Sequence, residues 1–368
     1  MKFLIFTEGG SVSGAGHITR CLSFCSILSS KLIKTYMIVK IDNEGGEEIL
    51  ENTNISGLKI EKINWHDINI LKNYINAFNG PSRNSFGENS CGNAGEKNIA
   101  ECKYHKENTT EIINVIVDSY KAGLEIYEYL CAVSDNRIFC DDFKRIKYPC
   151  GFVLNGAVSA VKLNYPAEGG GVKYLLGPKY QPVREEFYKT GRAAINKEIS
   201  KIVLTCGAAA DAKIYSRLLI PLREIIPNAE INIVTGKTPV TDDFIDISGN
   251  AKTILHSKLD ASEMAALIYS CDAAVSACGQ TLYELTLAGV PTIAFMTAEN
   301  QRNNAAGFME LNAIEYCGDF ENGGFEIKFR EALNKILDYD YRRKLSGRAR
   351  KIIDGKGSAR CLNEVFNV

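Results

Sequence analysis

Along the first 155 residues, apolar runs of strand length alternate with stretches whose apolar positions recur at helical spacing. Runs at 2–7, 35–40, 58–64, 112–117, 136–140 and 151–154 predict strands, and 17–30, 45–52, 66–78 and 122–133 predict helices. A second alternation starts at residue 201, with strands near 201–206, 230–234, 252–255, 272–276, 291–296 and 313–317. Helices are predicted near 210–225, 261–270, 280–288, 300–311, 325–337 and 339–353. Strands alternating with helices imply parallel sheets covered on both faces. The expected class is α/β, with two Rossmann-like domains facing each other across a cleft.

Two stretches break the pattern. Residues 79–110, rich in Asn, Gly, Ser and charge, predict a long surface loop or a partly disordered insertion. Residues 156–199 lack clear periodicity and carry Pro166, glycines at 169–171 and the cluster LGPKYQPVREEF at 176–187. The expected division is an N-terminal domain over 1–175, a linker over 176–199 and a C-terminal nucleotide-binding domain over 200–368. The stretch 357–366 can cross back onto the first half.

A chain of 368 residues can bury two ordinary cores without staples. Lys and Arg number 43 against 44 Asp and Glu, scattered along the chain, which gives no field for nucleic acid or an anionic membrane. No apolar run approaches a membrane span, and the opening run is too short for a signal peptide. The cytoplasm is the expected compartment. The 12 cysteines form no CxxC pair, and Cys21, Cys25, Cys131, Cys140, Cys206, Cys271, Cys278 and Cys317 sit in apolar segments as expected free, buried thiols. His17, His66, His105 and His256 show no metal-like spacing, so neither a metal nor another cofactor is expected.

The chemistry concentrates in a few turns. EGGSVSGAGHITRC at 8–21 follows the first strand, and Gly14 and Gly16 allow a sharp turn into a helix whose first amides favour an anion. His17 stands there as a titratable group, the candidate for the chemistry. Asp118, Ser119 and Tyr120 follow the apolar IINVIV, where ligands bind in parallel sheets, although Asp118 and Ser119 equally suit a turn and helix cap. Asp141 and Asp142 follow RIFC in the same way. Adjacent residues on a strand point to opposite faces, which argues against a shared proton.

In the second half, SACGQTLYELTLAGVPTIAFMTAENQ at 276–301 is the densest signal. Its turn, Ala277 to Gln280 with Cys278 and Gly279, offers helix amides to a diphosphate, and Thr281 adds a hydroxyl. Glu284, a turn further on, can accept from a ribose diol, although alone it reads more readily as a solvated helix residue. TCGAAAD at 205–211, with Gly207, is the paired turn after the first strand of this half. Asp338 to Asp340, DYD, imitates a metal-dependent transferase signature but lies between two helices, where an aspartate cap is expected.

GAGHITRC at 14–21, IVDSY at 116–120, the stretch from DDF to VLN at 141–155, GPKYQPVREEF at 177–187 and TLYELTLAGVPTIAF with ENQ resemble, in order, the PseG-like UDP-sugar hydrolase family of pseudaminic acid biosynthesis. That family is related to the N-acetylglucosaminyltransferase of peptidoglycan synthesis and shares its GT-B arrangement. The resemblance implies removal of UDP from a UDP-linked amino/deoxy sugar by water, with inversion and without metal. It makes His17 the general base, Tyr120 an active-site tyrosine, Asn300 an asparagine near the sugar, and Glu284 a nucleotide ligand beside Gln301. Cys206, Gly207 and Ala208, and likewise Cys278 and Gln280, depart from the smaller residues frequent in that family. A UDP-sugar glycosyltransferase of surface polysaccharide synthesis, or an inactive nucleotide-sugar binder, would keep the same cleft.

Overall fold

The computed structural model describes the chain apart from residues 11–15, 43–49, 52, 80–112, 190, 192, 208–211, 236–251 and 258. Gly14, nearly all of the 79–110 insertion, most of the expected helix at 45–52 and the AAAD half of the turn at 205–211 lie outside the described residues.

Strands β1 (Lys2–Gly10), β2 (Lys34–Asp42), β3 (Leu58–Lys62), β4 (Ile113–Asp118), β5 (Asn136–Cys140), β6 (Gly151–Asn155) and β7 (Val172–Leu176) form one parallel sheet of order 3-2-1-4-5-6-7. Its central strands read as continuous apolar runs because both faces are covered. Phe3 and Ile5 of β1 enter one core layer, while Leu4 and Phe6 enter the other. The second sheet holds β8 (Lys201–Thr205), β9 (Glu230–Val234), β10 (Thr253–His256), β11 (Ala273–Ala277), β12 (Thr292–Met296) and β13 (Glu315–Asp319). Its order, 10-9-8-11-12-13, repeats that of the first six strands of the other sheet, again with parallel pairing. Ile202 and Leu204 face one layer and Val203 the other. In both sheets the strand order reverses beside the first strand, between β1 and β4 and between β8 and β11. A crevice opens at the carboxyl ends of the strands at such points.

Two expectations change. Residues 172–176, for which no element was expected, are an edge strand paired with β6, and a run as short as VKYLL carries too few alternating positions to announce itself. Cys131 and Cys150 form a disulfide rather than resting as free thiols, because the end of helix Leu124–Val133 and the turn before β6 come within 6.5 Å between Cα atoms. The other described cysteines are free and buried. Asp338 does cap the helix Tyr339–Ala349, accepting from the Tyr341 amide at 2.8 Å.

Among the contacts that join the halves, two are built from tight packing. Helix Gly357–Phe366 lies on the first sheet, with Cys361, Leu362, Val365 and Phe366 in the same layer as Phe3, Ile18 and Phe24, and with the Phe3 and Phe366 rings 4.8 Å apart. Helix Arg302–Glu310 approaches the turn after β6 so closely that a Cβ on Gly307 would meet the Val158 side chain at 2.8 Å and the Ser159 amide nitrogen at 2.9 Å. Only glycine fits there. No helix among the described residues is long and apolar enough to cross a membrane.

Candidate active site

A cleft of about 450 Å³ lies between the carboxyl ends of the two sheets. That is the size of a small-molecule site. Its first wall carries Gly16, His17, Arg20, Tyr120 and Asp142. Its second carries Gly207, Gly279, Gln280, Thr281, Glu284, Asn300 and Gln301.

His17 is set by the turn from β1 into helix Gly16–Ser30, and Asp118 by the end of neighbouring β4. The His17 imidazole donates through Nδ1 to Asp118 Oδ1 at 2.6 Å. Asp118 is fully buried and also accepts from Arg20, Nε to Oδ2 and Nη2 to Oδ1, both at 2.6 Å. Burial opposes its charge, but the Arg20 guanidinium and His17 hold the carboxyl well below the usual carboxylate range. An ionised Asp118 can only accept, so Nδ1 carries the proton and, in the neutral ring, the lone pair is on Nε2.

Arg20 extends the chain of charges. Its Nη1 donates to Asp142 Oδ1 at 2.6 Å and its Nη2 to Asp142 Oδ2 at 3.1 Å. Burial works against the guanidinium charge, but Asp118 and Asp142 raise its pKa well above the ordinary value. The Tyr120 hydroxyl donates to Asp142 Oδ2, and the His17 and Tyr120 rings meet edge-on, 4.2 Å between centroids. Burial first, and the Asp142 charge second, push the phenol far above its normal titration range. Behind Tyr120 its own amide donates to Glu8 Oε1 at 2.9 Å, and Glu8 takes the Ser119 hydroxyl and His66 Nε2 as well. Burial would raise the Glu8 pKa, but these donors keep it below the usual value. Asp141 points elsewhere, to the Tyr165 hydroxyl and the amides of Phe143 and Arg145, so the two adjacent aspartates serve separate networks.

On the opposite wall, β11 delivers Gly279 and Gln280 to the start of helix Thr281–Ala288. Glu284, 1% exposed, accepts from Arg184 Nε at 2.7 Å through Oε1. Its Oε2 has no partner among the described residues. A buried carboxylate oxygen without a donor is costly in isolation and suits a ligand hydroxyl. Gly207, after β8, has φ of 90°, a backbone that a side chain would strain.

No protein-family model matches the chain. The sequence is 27% identical over 251 residues to the Helicobacter pylori pseudaminic acid cytidylyltransferase and UDP-2,4-diacetamido-2,4,6-trideoxy-β-L-altropyranose hydrolase, covering 65% of this chain and 45% of that protein. The chain thus spans less than half the length of that relative. It is 24% identical to the spore coat polysaccharide biosynthesis protein SpsG of Bacillus subtilis, covering 97% of this chain and 95% of that one. The crystal structure of MurG from Acinetobacter baumannii superposes over 100% of both chains, with a TM-score of 0.61 at 12% identity. The chain is thus similar in sequence to these sugar-biosynthesis proteins and has the GT-B fold.

Of the expected site residues, the structure brings His17, Tyr120, Asn300, Gly16, Gly207, Gly279, Gln280, Thr281, Glu284 and Gln301 to one cleft. Gly14 lies outside the described residues. Cys278 needs correction. Its side chain is buried in the core, its amide donates to the Phe295 carbonyl at 2.9 Å, and burial pushes its thiol up to about 12. Neither its side chain nor its N–H is left for a phosphate, because it directly follows β11 and its amide still bonds to the neighbouring strand. Gln280 is also partly committed, donating to the Pro182 carbonyl at 2.7 Å and accepting from Gln181. The sequence places Asp142 at a strand end but points to no partner for it, and it gives no sign of Arg20 or Arg184 as site residues. Arg20 stands one helical turn after His17, a spacing that puts both on one helix face.

Proposed function

We propose that the chain is a UDP-sugar hydrolase of the cytoplasm, releasing UDP from an amino/deoxy sugar with inversion and without a metal, in surface-sugar synthesis. The observation that carries this reading is a base with an oriented tautomer, His17 on Asp118, facing a buried carboxylate oxygen without a partner, Glu284 Oε2, across one cleft. UDP lies against the second wall, its ribose hydroxyls on Glu284 and its diphosphate toward the amides at Gly279 to Thr281. Water on His17 Nε2 loses its proton to the ring as its oxygen attacks the anomeric carbon from the face opposite UDP. The bond to the diphosphate oxygen breaks, and UDP leaves as an anion that needs no proton. The cleft carboxylates are already engaged, Asp118 and Asp142 by Arg20 and Glu284 by Arg184. Such paired carboxylates make a poor cage for a divalent ion.

Incubation with a panel of UDP-sugars and no added acceptor tests the reading. The expected result is free UDP with a sugar product of inverted configuration, at a rate unchanged by EDTA. UDP release that requires an acceptor hydroxyl, or magnesium or manganese, would assign a transferase instead. Glu284→Ala is expected to weaken UDP binding by about 1.5–3 kcal/mol, the range for a hydrogen bond to a charged group. Calorimetry showing unchanged affinity would place the nucleotide elsewhere.

A further inference from the structure

Resting on the hydrolase reading, the geometry points to Asp142 as a positioning residue that accepts the hydrogen bond of the Tyr120 phenol and so leaves the Tyr120 oxygen as an acceptor for a donor group of the sugar, a hydroxyl or acylamino N–H near the anomeric carbon. Three observations carry this. The Tyr120 hydroxyl donates to Asp142 Oδ2, and a phenol has one proton, so its oxygen can then only accept. Asp142 cannot turn away, because the Arg20 guanidinium grips both of its oxygens, and Arg20 is itself locked to buried Asp118. The Tyr120 ring lies edge-on against His17, so whatever its oxygen accepts from sits close to the proton that His17 takes. His17, Asp118, Arg20, Asp142 and Tyr120 thus form a closed circuit on one wall of the cleft. Asp142 acts in it only through Tyr120. The consequence for substrate is selective: a sugar lacking a donor at that position leaves the Tyr120 oxygen desolvated and unmatched.

A double-mutant cycle separates this role from a merely structural one. The probe is UDP-2,4-diacetamido-2,4,6-trideoxy-β-L-altropyranose, with UDP release as the rate. Tyr120→Phe and Asp142→Asn are each expected to lower kcat by about 10–100-fold, the equivalent of one hydrogen bond to a charged or strongly polarised group. The double variant is expected to match Tyr120→Phe within about twofold, because Asp142 has no second route to the reaction. Losses that multiply, or a Tyr120→Phe enzyme at the wild-type rate, would overturn the proposal. The second readout is the tyrosine Raman doublet, which reports whether a phenol donates or only accepts. The difference between wild type and Tyr120→Phe is expected to show a donating phenol, and that signature is expected to disappear in Asp142→Ala, whose side chain offers no acceptor. A signature unchanged in Asp142→Ala also overturns the proposal. Wild-type protein that releases no UDP while showing the expected Raman change would sink the hydrolase reading and leave the Tyr120–Asp142 assignment standing.

Discussion

His17→Asn is expected to fold, to bind UDP as the wild type does, and to release UDP from its substrate about 10²–10⁴-fold more slowly, the usual contribution of a positioned general base. Asparagine retains an amide N–H able to reach Asp118, so the buried carboxylate keeps a donor and the start of the helix keeps its form. What it lacks is a basic lone pair. The nucleotide side should not notice, since Glu284 and the turn at Gly279 to Thr281 stand on the other wall. Single-turnover measurements of UDP release, with calorimetry of UDP binding alongside, check both halves of the expectation. An Asn variant retaining near wild-type release would return His17 to a structural role and move the search for the base to neighbouring groups.

The second large effect is on stability. Asp118→Asn removes the anion that Arg20 Nε and Nη2 and His17 share in a fully buried site. Removing one member of a buried pair leaves a charge without compensation, at about 3–5 kcal/mol. Asp142 still engages Arg20, so the lower end, about 3 kcal/mol, is expected, read as a lower urea midpoint at unchanged slope. The pH dependence has a definite sign. The folded-state pKa of Asp118 is depressed below that of the unfolded chain, so its stabilisation is complete above the ordinary aspartate range, near pH 4, and is lost as pH falls below it. The wild type should therefore lose stability between neutral pH and pH 3 more steeply than Asp118→Asn. Parallel acid profiles would show that Asp118 carries no such linkage. The same variant should also lose rate, since an amide at 118 no longer demands a proton on Nδ1.

The fold was largely legible because its strands are buried on both faces and its helices on one, which leaves strong periodic signals of two kinds. Every expected strand appears, with ends shifted by a few residues. The edge strand β7 was missed for the opposite reason, being short and only partly covered. In the site, single residues at strand ends were readable, since topology alone puts His17, Tyr120 and Glu284 at the crevice. Pairing was not readable. Arg20 and Asp142 are 122 residues apart, and Arg184 and Glu284 are 100 apart, so nothing local announces either contact. Cys278 misled because a turn was assigned to backbone and side chains together, whereas the strand ladder still holds its amide.

Helix Gly357–Phe366, lying on the first sheet, has a consequence for vectorial synthesis. Phe3, Ile18 and Phe24 leave the ribosome early, but Cys361, Leu362, Val365 and Phe366, which complete this layer, are made only after all six strands of the second sheet. The half that carries His17 and Asp118 therefore waits, with apolar surface open, through most of translation. The second half, whose two layers draw on residues from Val183 to Ile353, is set to close before it. A nascent chain of this design presents an early hydrophobic face of the kind that chaperones hold, and slowing synthesis across the second half would prolong that exposure.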